Sequence, residues 1–229
     1  IGNEQTCEAQ GFIVQFSIAG ILYMCCLQLQ YLLTIKYGWK EKAVRRIEPY
    51  MHCIPILYGM CTATTALVKD LYNPANWDCW IAPLPGNCTS SYVIATGGSD
   101  LEMTDCVRGD NARFYRWGFF FGPLWASIVF CIAVMIALVR FVRQTERKSL
   151  EWTQGTGDES HKMRPIMEMK YTSQVFTQCI MYAGAFLVVW TFPTITRLIQ
   201  LFGYDAPRIL VVLAGCFIAS QGFFNACTY

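Results

Sequence analysis

The stretch WGFFFGPLWASIVFCIAVMIALV, residues 117–139, decides how this chain folds. It holds 23 residues without a single Asp, Glu, Lys or Arg. A helix needs about 20 apolar residues to cross the ~30 Å hydrocarbon layer of a bilayer. Hydrocarbon offers no partner to a backbone N–H or C=O, so such a run must be a helix or part of a closed barrel. Barrel strands are about 10 residues long and alternate polar with apolar. This run does neither.

Working outward, four more runs lack those charges: residues 9–35, 49–68, 171–196 and 209–229. We expect five membrane-spanning helices, at about residues 8–36, 46–69, 114–143, 171–202 and 206–229, in one membrane domain covering 1–229. The composition agrees: 54% of the 229 residues are hydrophobic and 15% charged, against roughly 25% charged in a soluble domain. A disordered chain needs low hydrophobicity. A nucleic-acid-binding domain needs a basic excess that a net charge of +2 does not supply, so no nucleic-acid partner is expected. Five such runs also leave too little polar surface to enclose them in water. The chain starts at Ile1 without Met and its last run stops at Tyr229, so we expect a piece of a longer protein.

The connecting segments alternate in charge. Residues 36–48 carry Lys36, Lys40, Lys42, Arg45 and Arg46 against two acids, and residues 140–170 carry seven basic residues, Arg140 and Arg143 among them, against five acids. Residues 69–116 carry four basic and six acidic residues. The positive-inside rule places the first two segments in the cytoplasm. The expected loops are therefore intracellular at 37–45 and 144–170 and extracellular at 70–113, with the N-terminus outside and Tyr229 inside. Cysteines fit this: Cys7, Cys79, Cys88 and Cys106 fall on the expected outer side, where disulfides persist. Four cysteines allow three pairings. The pairing favoured is Cys7 with Cys79 and Cys88 with Cys106, which would tether the first helix to the long outer loop. Asn87-Cys88-Thr89 is a glycosylation sequon, usable only outside. The eight other cysteines lie in the apolar runs and read as small buried thiols.

Polar residues within the runs mark faces that meet other helices. On an ideal helix Gln10, Ser17 and Gln28 fall at nearly one angular position, so this stripe is expected to face the bundle. Gln10 then stands as a ligand contact near the outer mouth. Gln28 has a plain role in helix-to-helix hydrogen bonding and a functional one as an interhelical switch. Pro193 removes a backbone bond three residues after Trp190, giving either a shape-determining kink or a hinge. Arg197, four residues on, can snorkel to headgroups or face an outer cavity as an anion partner. His52 reads as an interfacial filler, and Asn225 as a residue bonded across the bundle.

Enzyme signatures are missing: there is no HExxH, no glycine-rich phosphate loop and no GxSxG. No cofactor and no metal site are expected. Apart from His52 the runs hold no ionisable carboxylate, imidazole or basic group of the kind a coupled transporter places there. A bundle with an ordered outer cap and basic inner loops suits passing a signal across a membrane. The alternative is a multi-pass small-molecule transporter or channel.

Several strings resemble one family. Cys7-Glu8-Ala9-Gln10-Gly11-Phe12 with Gln15-Phe16 is similar to the start of helix three of the cyclic-AMP-receptor-like receptors, the group around the slime-mould chemoattractant receptors. Trp77-Asp78-Cys79-Trp80-Ile81 resembles their outer loop, whose Cys bonds to helix three. The segments from Trp190 to Leu198 and from Gln221 to Ala226 resemble the end of their helix six and their helix seven, and the Gln-Gly-Phe-Phe string is shared with secretin-type receptors. The departures are plain. The first two helices and the tail are missing, no Asp-Arg-Tyr follows the first run, and Ala226 stands where a rhodopsin-type receptor has proline.

The resemblance implies five visible helices, three to seven, of a seven-helix G-protein-coupled receptor bundle in the plasma membrane. Its partners would be the lipid bilayer, an extracellular ligand of unknown identity and a heterotrimeric G protein. Ligand contacts would come from Gln10, Trp190 and Arg197, and switching from Gln28, Pro193 and Asn225. Lys36, Lys40, Arg45, Arg46, Arg140 and Arg143 would border the G-protein crevice.

Overall fold

A computed structural model describes residues 3–75, 78–85, 88, 106–155, 159–201 and 206–228. The described chain is almost wholly helical. Its elements run α1 Glu4–Phe16, α2 Ile18–Ile35, α3 Glu41–Val68, β1 Tyr72–Ala75, β2 Asp78–Ile81, α4 Ala112–Arg116, a π-helical turn Trp117–Phe121, α5 Gly122–Gly155, α6 Glu159–Leu201, α7 Arg208–Ala219 and α8 Gln221–Thr228. Four helical stretches are long and apolar enough to cross a membrane: Glu4–Ile35, Glu41–Val68, Ala112–Thr145 and Phe176–Ile199. The fifth expected span differs. It is divided at Ser220, whose N–H bonds back to both Cys216 and Phe217, leaving a 12-residue helix and an 8-residue helix.

Local chemistry sets the ends. Asn3 caps α1 by accepting the Thr6 N–H on its side chain at 2.9 Å, which satisfies one of the donors every helix start leaves free. α2 stops where Gly38 takes φ +62°. The Trp39 N–H then reaches back to the Leu33 carbonyl at 3.1 Å, a reversal of the chain that glycine permits at no steric cost. The helices also extend into the charged segments, with α5 reaching Gly155 and α6 starting at Glu159. A charged stretch continues a helix wherever its propensities allow.

The described chain divides into two compact units, Ile1–Cys26 with Lys42–Ser127, and Leu27–Glu41 with Ile128–Tyr229. In the first, the antiparallel hairpin β1–β2 pairs Tyr72 with Ile81 and Pro74 with Cys79. This hairpin lies in what the sequence reads as loop. Its inner residues Tyr72, Trp80 and Ile81 are buried with Ala63, Ala66 and Leu71. Gly11 lets α1 approach: a Cβ there would stand 2.5 Å from Cδ1 of Tyr72. Gly59 likewise sits against Phe16 and Ala19, the small-residue contact by which helices associate in lipid. In the second unit, Val134, Leu138 and Cys179 form a cluster flanked by Tyr31, Leu32, Ile35, Phe130 and Phe176. Phe192 of α6 meets Phe217 of α7, their ring centroids 4.6 Å apart.

The stripe of Gln10, Ser17 and Gln28 does not form. Gln10 and Ser17 are exposed and only Gln28 is buried. The buried positions of α1 and α2 are Gly11, Gln15, Ile18, Ala19, Ile21, Met24 and Gln28, which at about 100° per residue spread over more than half of the helix circumference rather than along one stripe. The chain tightens at Ser17, whose hydroxyl donates to the Val14 carbonyl at 2.6 Å while Gly20 N–H bonds to the Ser17 carbonyl, three residues back, at 3.0 Å.

Gly11→Val should therefore lower stability by about 1–3 kcal/mol, because overpacking pushes Tyr72 from its site. Gly20→Ala, where the added methyl meets nothing within 4 Å, should leave stability near wild type. Thermal unfolding of the full-length protein in detergent checks the pair; equal midpoints for the two variants would refute the packing.

Candidate functional site

The first unit carries a polar node built on Gln15, a residue wholly removed from solvent. Its amide Nε2 donates to Thr62 Oγ1 of α3 at 3.3 Å and to the Phe119 carbonyl of the π-helical turn at 3.4 Å. Its Oε1 accepts the indole Nε1–H of Trp80 on β2 at 3.1 Å. One side chain thus joins α1, α3, the hairpin and the π turn.

The π turn explains why an amide is needed. The Gly122 N–H bonds to the Trp117 carbonyl, five residues back, and the next residue, Pro123, has no N–H to offer the Gly118 or the Phe119 carbonyl. Gly118 and Phe119 carbonyls find side-chain donors instead: Tyr58 OH lies 3.3 Å from each, and Gln15 reaches Phe119. In a low-dielectric setting a carbonyl left bare costs more than a hydrogen bond gains.

Trp80 is fixed on its other sides as well. Phe120 and Phe121 meet its ring edge-on at 5.0 and 5.6 Å, the favoured aromatic geometry. The Arg116 guanidinium lies 5.7 Å from the ring centroid while its Nε–H donates to the Ile81 carbonyl at 2.8 Å. Tyr72 donates its hydroxyl to the Ala63 carbonyl at 2.9 Å. Burial pushes that phenol up from its ordinary pKa, so it stays protonated and keeps the bond.

Two covalent ties and one ionic cluster hold the same end. Disulfides join Cys7 to Cys79 and Cys88 to Cys106. Arg108, mostly buried, donates to Glu4 and Glu8 of α1 and to Asp70 beyond α3, at 2.9 Å for Glu8 and 3.1 Å for Asp70. The Arg108 carbonyl accepts the Leu84 N–H at 2.9 Å, so the loop after the hairpin is anchored through backbone and side chain together.

The second unit holds a separate pair. The Gln28 Nε2 donates to the Cys179 carbonyl of α6 at 3.4 Å, and the Cys179 thiol donates to Gln28 Oε1 at 3.0 Å. Neither residue is exposed at all. The pair closes on itself within the apolar cluster around Val134 and Leu138.

The other residues singled out in the sequence fall as follows. Gln10 is exposed and belongs to the first unit. Trp190 is buried with its ring 6.4 Å from Phe186, Pro193 is buried, and Arg197 is half-buried, all three in the second unit. Lys36, Lys40, Arg45, Arg46, Arg140 and Arg143 are exposed. His52 is exposed and shares hydrogen bonds with Tyr23 at 3.2–3.3 Å. Asn87 and the side chain of Asn225 lie outside the described residues. Sequence reasoning missed Gln15 as the centre of the node. Its spacing of four from Gly11 and three from Ile18 carries the signal, since all three fall on one face of a helix.

Two comparisons with known proteins find nothing: no family model matches the chain, and no solved structure matches it. The chain is 25% identical over 218 residues to a curated protein named cyclic AMP receptor 4, from Dictyostelium discoideum. The match covers 86% of this chain and 44% of that protein, so the chain spans less than half of that relative's length. The chain thus combines helices long and apolar enough to cross a membrane with paired cysteines and a similarity to a protein named as a receptor.

If the node is a unit, its members must be non-additive. Gln15→Leu should cost about 2–3 kcal/mol by leaving Trp80 Nε1–H and part of the Phe119 carbonyl unpaired. Trp80→Phe should cost less, and the double variant should cost less than the two singles summed, by about 0.5 kcal/mol or more. A double-mutant cycle on the full-length protein in detergent measures this; strict additivity would show that the two side chains do not act together.

Proposed function

We propose that this chain is part of a G-protein-coupled receptor that carries an extracellular ligand signal across the plasma membrane to a heterotrimeric G protein. What supports this most is the similarity to a protein named as a cyclic AMP receptor, in a chain whose membrane-length helices are tied to a disulfide-held hairpin. The orientation we propose follows the basic segments, with residues 36–48 and 140–170 inside and the hairpin outside.

In this reading ligand contacts come from Gln10 and, separately, from Trp190 and Arg197. The hairpin serves as a rigid lid whose position is fixed by Cys7–Cys79 and Trp80. The relative's name gives cyclic AMP as its ligand. On the hairpin side of this chain, Arg108 is held by three carboxylates and Arg116 by the Ile81 carbonyl and the Trp80 ring, which leaves few cations to bind a phosphate. A ligand shifts a receptor only through tighter binding to the active arrangement. The two arrangements would differ in α6, which Pro193 weakens by removing one backbone donor and which Gln28 holds through Cys179. Lys36, Lys40, Arg45, Arg46, Arg140 and Arg143 would meet the G protein, and Asn225 would join the switch.

The Gln28–Cys179 pair gives the test that needs no ligand. Gln28→Leu removes both hydrogen bonds and should raise basal nucleotide exchange on the G protein several-fold at equal surface level. Unchanged exchange would sink the switch. Pro193→Ala should lower ligand-driven exchange while leaving surface expression intact. Absence of any exchange, together with substrate flux into vesicles bearing the full-length protein, would favour a transporter instead.

A further inference from the structure

A cavity of about 320 Å³ opens along α5, lined by Ile132, Met135, Ile136, Val139, Arg140 and Arg143, with Leu187 of α6 closing one side. On α5 these residues recur at helical spacing, so they form a continuous stripe. It is distinct from the face bearing Val134 and Leu138, which packs in the apolar cluster. Ile132 and Ile136 are 40% and 48% exposed. From Ile132 to Arg143 the stripe spans 11 residues, about 16 Å at the helical rise, which is about half the ~30 Å hydrocarbon thickness. It is therefore one leaflet deep. Its far end carries two exposed guanidiniums, Arg140 and Arg143, three residues apart and hence on one face.

We propose that this groove binds a phospholipid, with one acyl chain along Ile132, Ile136 and Leu187 and a phosphate-monoester headgroup between Arg140 and Arg143. Charge complementarity selects this occupant. A wholly apolar partner supplies no counter-charge to guanidinium groups, whereas phosphate oxygens match them in paired hydrogen bonds. The orientation proposed above puts the arginines at the inner leaflet, where phosphorylated inositol lipids are recognised by basic pockets beside membrane helices. This inference uses that orientation but not the receptor activity: it gives Arg140 and Arg143 to a lipid headgroup in place of the G-protein contact proposed above, and its readout is lipid retention alone.

The test is native mass spectrometry of the full-length protein in detergent, titrated with phosphatidylinositol 4-phosphate and with phosphatidylcholine of the same acyl chains. The wild type should retain the phosphoinositide about 30-fold more strongly, the scale expected of two charges at a membrane surface. Arg140→Gln with Arg143→Gln should bring the two lipids to equal retention. Ile136→Trp, which fills the groove, should weaken both lipids. Equal retention of the two lipids by the wild type, or an unchanged preference in the double arginine variant, overturns the proposal.

Discussion

A backbone carbonyl without a donor inside a membrane helix has no water to turn to, and Pro123, which follows the π-helical turn at Trp117–Phe121 and has no N–H, withholds one from the Gly118 and Phe119 carbonyls. Much of the first unit can be understood as the answer to that constraint. Tyr58 from α3 and Gln15 from α1 reach the Gly118 and Phe119 carbonyls. Once Gln15 is committed by its amide N–H groups, its carbonyl oxygen needs a donor, and Trp80 supplies one. Trp80 in turn needs a rigid bed, which Phe120 and Phe121 of the same π turn provide. The dependence runs in a circle, from the turn to the amide to the indole and back to the turn. That closure lets a fully buried amide persist, since a network with one member missing is worse than an apolar core.

The fold class was legible because the decisive physics acts on long, uniform segments. Absence of charge over 23 residues is a property of the whole run 117–139, and no single neighbour can overturn it. Legibility fell where one residue decides. Ser220 divides the last apolar run by a local backbone choice, accepting a turn between α7 and α8. The composition of 209–229 carries no mark of it. The hairpin was hidden for a different reason. Its strands are four residues each, too short for alternation to register, and they are held by contacts with Gly11, Gln15 and Ala63 that are remote in sequence.

Site residues were legible only in part. Projection on an ideal helix assigns Gln10, Ser17 and Gln28 to one face, yet two of them are exposed. The projection assumes a constant twist, and Ser17 breaks that assumption by bonding its hydroxyl to the preceding turn. Gln15 meets α3, the hairpin and the π turn while Gln28 meets α6, so both are inside though they lie far apart on the ideal wheel. The partner of Gln28 was beyond sequence reasoning altogether. Cys179 reads as an inert thiol, and it becomes a hydrogen-bonding residue only because both its carbonyl and its thiol meet the same amide.

The disulfide Cys7–Cys79 closes a separation of 72 residues. The chain-entropy account would credit such a loop with roughly 4 kcal/mol, taking a random coil as the unfolded reference. Helices threaded through lipid do not unfold to a coil, because their backbone bonds stay closed in the membrane. The freedom the bond removes is then only that of a short loop about helices already in place, so its worth in stability is well below the coil figure. Its larger effect is geometric. Cys79 binds α1 at Cys7 and the next residue, Trp80, binds α1 at Gln15, eight residues or about 12 Å further along the helix. One attachment point fixes where a hairpin sits. Two points separated along a helix axis also fix how it is turned, and Arg108, clamping Glu4 and Glu8 of the same helix, removes the rotation that remains.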